Sequence, residues 1–145
     1  MARGKASGIS AAESTPEFLR FVQGFRDNPL GFVEQMWAWN VEGGALEGET
    51  GPDEWQREYL TALGNAVKAR DADKNLSAYM KALASGTGIG KTALVAWVII
   101  WFMSTRHNPF ILATSNTAVQ LSSTLWRELS VWHNLVLNSS WFSWT

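Results

Sequence analysis

The stretch "LASGTGIGKTALVAWVIIWFM", residues 83–103, constrains this chain more than any other. Three glycines within five residues, Gly86, Gly88 and Gly90, lead into Lys91-Thr92 and then into an unbroken apolar run over 93–103. Glycine reaches backbone conformations that turn successive N–H groups into one concavity. A helix opening directly behind such a loop adds its own unpaired N–H groups and the positive end of its dipole. The period of "LSAYMKALA" (76–84) fits strand or helix, and its position before the loop favours a strand near Tyr79–Ala84. The order strand, loop, helix over Ser85-Gly86-Thr87-Gly88-Ile89-Gly90-Lys91-Thr92 therefore predicts a cradle for a chain of phosphates, with the helix from about Gly90 to Ser104. Lys91 is placed to meet the β- and γ-phosphates as the catalytic cation, and the Thr92 hydroxyl to ligate Mg²⁺. The consensus is G-x-x-x-x-G-K-[ST], with Ser85 standing where its first glycine falls. A dinucleotide fingerprint fits worse, because the glycine spacing differs and no acidic residue follows about twenty positions on.

The apolar run is eleven residues long, between Lys91 and Arg106. A membrane span needs about twenty, so the run reads as a helix buried on all sides of a globular protein. The first residues, "MARGKASGISAAESTPE", have no apolar core of a secretory signal. The expectation is a cytoplasmic protein without membrane contact. With no cysteine among 145 residues, disulfides and thiolate metal sites are excluded. His107 and His133 stand apart, and zinc needs three or four converging ligands. A net charge of −1 carries no signature of a basic nucleic-acid binder.

Residues 1–15 read as a disordered arm, and 16–51 as a helical lead-in ending in an acidic, glycine-rich mobile loop. Phe18, Phe21, Val22 and Phe25 share one helical face, and Pro29 opens a second short helix carrying Phe32, Val33, Met36 and Trp37. From Pro52 a longer helix turns Trp55, Tyr59, Leu60, Leu63 and Val67 to one side. "NPFILATS" reads as a second strand. The segment after it reads as an amphipathic helix with Val119, Leu125, Trp126, Leu129 and Trp132 inward, and "SSWFSWT" has strand character.

Two further sites are less specific. Gln56, beside Trp55, has an amide able to bond adenine in two places, as amides do in DNA recognition; it also reads as a solvated helix residue next to a core anchor. Ser115-Asn116-Thr117 is a normal helix-capping sequence, or else a DNA or coupling contact.

Taken together, "DEWQREYL", "LASGTGIGKTALVAWVIIWFMSTR" and "FILATSNTAVQLSSTLWRELSVWHN", with "WFSWT" after them, resemble the amino-terminal part of the large terminase subunit of tailed bacteriophages, the DNA-packaging motor ATPase. The resemblance covers roughly residues 15–145. It implies an α/β fold: an incomplete P-loop NTPase core of the helicase-like (ASCE) kind, with parallel strands flanked by helices over 52–145. It implies ATP and Mg²⁺ as ligands, double-stranded DNA, a portal protein and a small terminase subunit as partners, self-association in a ring, and a bacterial host cytoplasm. Trp55 and Gln56 fall on the adenine motif, Ser85 to Thr92 on the phosphate loop, and Ser115 to Thr117 on the segment after the second strand. The acidic second motif is missing, since Glu128 is the single acidic residue after Thr92. The coupling motif and the nuclease domain are missing too. The expectation is therefore a truncated piece, inactive alone, of an enzyme that hydrolyses ATP at full length. The alternatives are a non-hydrolysing nucleotide-binding or interaction fragment, and a helicase-like ATPase of another branch.

Overall fold

The computed structural model describes residues 15–84, 86, 88 and 90–143. Of the arm expected over 1–15, residues 1–14 lie outside the described residues, as do Ser85, Thr87 and Ile89 of the expected phosphate loop, while Thr15 belongs to the first helix as its cap. The helices are α1 (Pro16–Gln23), α2 (Pro29–Met36), α3 (Glu54–Ala72), α4 (Lys91–Thr105), α5 (Ala118–Gln120) and α6 (Arg127–Leu135). A π-helical turn, Leu121–Trp126, joins α5 to α6, and a 3₁₀ turn covers Ser139–Trp141.

The helix starts follow their sequences closely. Thr15 caps α1 through the Phe18 N–H, and Asn28 caps α2 through the Gly31 N–H at 3.0 Å. Both helices then open on proline, whose missing N–H is harmless in the first turn. Thr117 caps α5 by accepting from the Gln120 N–H.

α4 is the centre. Ala93, Leu94, Ala96, Trp97, Ile100 and Trp101 are buried along its length, and α1, α2 and α6 pack around it. The core is joined by aromatic contacts, stacked between Phe18 and Phe21 and edge-on from Phe21 through Phe25, Phe32 and Trp37 to Trp132. Trp97 meets Trp132 at 5.0 Å and Trp39 at 5.8 Å. Buried indole N–H groups need acceptors. Trp101 donates to the Phe25 carbonyl at 2.7 Å, and Trp37 to that of Trp132 at 3.0 Å. Ion pairs tie α3 to its neighbours, Arg57 with Glu34 of α2 and Asp71 with Arg26 after α1. No helix among the described residues is long and apolar enough to cross a membrane.

Several expectations are corrected. The α/β core with parallel strands is overturned, because the described residues contain helices and turns and no strand. The two segments expected to form it, 79–84 and 109–115, have no regular secondary structure and lie against helices. Lys81 sits over the Tyr59 ring of α3, and Ile111 and Ala113 face α4 and α6. A strand exists only through a ladder with a neighbour, and neither segment has one. The final "WFS" forms the end of the 3₁₀ turn and two irregular residues instead of a strand. Val119 and Trp126, expected inward, are 73% and 41% exposed. A π turn holds more residues per revolution than an α-helix, so the inward face shifts before Leu129. The acidic loop after α2 is internally bonded: the Asn40 N–H reaches the Leu46 carbonyl, and the Asn40 side chain accepts from Gly48.

Candidate functional site

Gly90 is the N-cap of α4, with φ at +83°, and Gly88 has φ at +80°. Both lie in the left-handed region, where a side chain is strained. As the cap, Gly90 brings no side-chain acceptor to the first-turn N–H groups of Lys91, Thr92 and Ala93. Those groups and the dipole behind them favour an anion at this end of the helix.

Lys91 and Thr92 open onto a cavity of about 390 Å³. Thr114 and Ser115 line its second side, at the end of the irregular segment that follows α4. Gln120, Leu121, Thr124 and Leu125 line the third, from α5 and the π-helical turn. Ser115 Oγ donates to Gln120 Oε1 at 3.3 Å. The walls thus hold one ammonium group, four hydroxyls and a carboxamide, with Val95 and two leucines below. Among the described lining residues none is a carboxylate. Glu128 points elsewhere, accepting the Trp132 indole N–H at 2.9 Å.

Of the expected site residues, Lys91, Thr92 and Ser115 come together here. Gly86 and Gly88 are exposed in the loop before them. Thr117 is used as the cap of α5 and Asn116 is exposed, neither lining the cavity. Trp55 is half-buried against the core. Gln56 is buried, and its amide is engaged at both ends: Oε1 accepts the Asp53 N–H at 2.8 Å, and Nε2 donates to the Gly90 carbonyl at 3.0 Å. A base pairing with it in two places would have to reach a buried side chain and compete with both bonds.

Sequence reasoning missed Thr114, Gln120 and Thr124. The polar run "SST" inside an apolar helix pattern was the available signal, and its meaning depended on the π turn that aims Thr124 at the cavity. For a magnesium ion, Thr92 offers one hydroxyl, and the described residues contain no cluster of three or more acidic or histidine ligands. Such an ion would be held chiefly by the phosphate oxygens it accompanies. A second cavity, of about 230 Å³, lies farther along α4 between Ile99, Met103, Ile111, Trp126 and Phe142. Its walls are almost entirely apolar and suit no phosphate. Comparison with protein-family models, with curated proteins and with solved structures gives no match.

Proposed function

We propose that this chain binds the phosphate chain of a nucleoside triphosphate, accompanied by Mg²⁺, in the cavity at the start of α4. The observation that carries the reading is the meeting of Lys91 and Thr92, at a glycine-capped helix start, with the Thr114, Ser115 and Thr124 hydroxyls around one concavity. The α4 amides would hold the phosphate nearest the loop, Lys91 would neutralise charge on the outer phosphates, and Thr92 would supply one oxygen to the metal. The other hydroxyls would donate to the remaining oxygens. When bound, the metal draws charge from the phosphate oxygens. Hydrolysis also needs an oriented water and a group to orient it, and the described walls offer no carboxylate for that. We therefore read the chain as a binder that does not turn ATP over alone. The motif-level resemblance to the large terminase subunit makes packaging of double-stranded DNA the setting in which we propose this binding is used.

Titration with Mg·ATP beside a Lys91→Ala variant tests the reading. Binding should fall at least about tenfold in the variant, the scale of one charge-assisted contact, with thermal stability unchanged. Equal binding by both proteins would overturn it. Phosphate release near 1 s⁻¹, in the ordinary enzyme range, that Lys91→Ala abolishes would overturn the non-hydrolysing part alone.

A further inference from the structure

Gln56 is 4% exposed, in the first turn of α3, behind the exposed Asp53 and Glu54. A buried carboxamide must satisfy both its ends, and this one does so on two backbone groups 37 residues apart in sequence, Asp53 and Gly90. The Gly90 carbonyl is also the acceptor of the first turn of α4, taking the Leu94 N–H at 3.1 Å. One oxygen therefore receives a helical bond and the Gln56 bond together.

We propose that Gln56 is a positioning residue for the phosphate-binding loop, acting through Gly90 and not on the nucleotide base. This rests on the phosphate-binding reading above. The peptide unit between Gly90 and Lys91 is planar and trans, so its C=O and N–H point in opposite directions. Holding the carbonyl towards α4 and Gln56 aims the Lys91 N–H out of the helix end, towards the loop and whatever anion it holds. Gly90 must itself remain glycine for the contact to form. Its φ is left-handed, and a Cβ there would stand 2.8 Å from Gln56 Nε2. On the other side, Oε1 closes the first turn of α3, whose next residue, Arg57, is paired with Glu34. The loop is thereby referred to two helices of the rigid core.

Gln56→Glu isolates the contact. Its carboxylate still accepts the Asp53 N–H, but it cannot donate to Gly90 until it is protonated. Affinities for Mg·ATP, Mg·GTP and inorganic tripolyphosphate would be measured, with amide exchange of residues 86–92 in the ligand-free protein. All three ligands should weaken by the same factor, about tenfold for one lost buried bond. Lowering the pH towards about 5, where a buried glutamate regains its proton, should restore binding in the variant relative to wild type. Exchange in the loop should quicken about tenfold while α6 exchanges as before. Gly90→Ala breaks the same contact from the other side, so its effect and that of Gln56→Glu should not add. If ATP alone weakens while tripolyphosphate is untouched, Gln56 reads the base and the proposal fails. It also fails if loop exchange is unchanged in both variants. Failure of the wild type to bind any polyphosphate would remove the phosphate-binding reading, and the exchange measurement would still decide the role of Gln56.

Discussion

Asp71 shows how much a single side chain's surroundings can do at the surface of this protein. Hydrogen bonds from Arg26, first, and from Lys74 favour its charged form and hold its carboxyl at about 2, below the usual 3.8. The folded state therefore holds on to fewer protons than the unfolded chain between those values. Stability from this group is fully present above the unfolded value and is lost as pH falls from about 3.8 towards 2. Acid titration of thermal stability should show wild type losing more than Asp71→Asn across that window. Parallel curves would mean that the bonds to Arg26 and Lys74 contribute nothing in solution. Gly64 makes a second residue-scale case. A Cβ there would lie 2.9 Å from the Asp27 carbonyl oxygen, on the connection ahead of α2, and 3.1 Å from Pro29 Cδ at its first residue. Alanine normally improves a helix interior by about 1 kcal/mol over glycine. Here the clash with backbone should reverse the sign, and Gly64→Ala should destabilise by about 1–3 kcal/mol in denaturant unfolding. A stabilised variant would show that the contact between α3 and that connection is loose.

At the scale of elements, the helices were legible because each carries its own evidence. The apolar run of α4 marked the centre of the core, although Val95 is 44% exposed and the helix is not buried on every side as expected, and Pro16 and Pro29 marked two helix starts. The strands were not legible, because a strand is a property of two segments and not of one. "NPFILATS" is a short β-type apolar run bounded by a turn, yet with helices beneath it the segment stays single. Gln56 was half legible. Asp53-x-x-Gln56 has the spacing of a capping box, which predicts its bond to the Asp53 N–H, but nothing local predicts Gly90 on its other end. The π turn left no readable mark, because "LSSTLW" fits an ordinary α-helix equally well. Deleting Ser123 should let that turn relax to α-helical winding, bringing α5 round by about 100° relative to α6. The deletion should leave α4 and the core helical by circular dichroism while weakening Mg·ATP, since Gln120 would leave the cavity wall. Undiminished binding would detach the π turn from the site.

For the whole molecule, the most exposed large apolar side chains lie on the two segments without regular structure. Met80 is 89% exposed, Phe110 82% and Leu112 76%. Outward apolar side chains on backbone outside any ladder are a template for pairing with another chain. The protein should associate as its concentration rises, and Phe110→Lys with Leu112→Lys should shift sedimentation towards monomer. Identical sedimentation of the two proteins would place the sticky surface elsewhere. The aromatic edges inside the core have an optical consequence. The Trp37 and Trp97 rings each meet Trp132 nearly perpendicular, at 5.9 and 5.0 Å. Indole transition dipoles so close, and held in fixed chiral relation, exchange excitation and split into paired circular-dichroism bands of opposite sign. The tryptophans come from the end of α2, the middle of α4 and α6, so the summed couplet is complete only while these elements are docked. A single far-ultraviolet feature would then report their assembly, separately from the helix content that most of the spectrum measures.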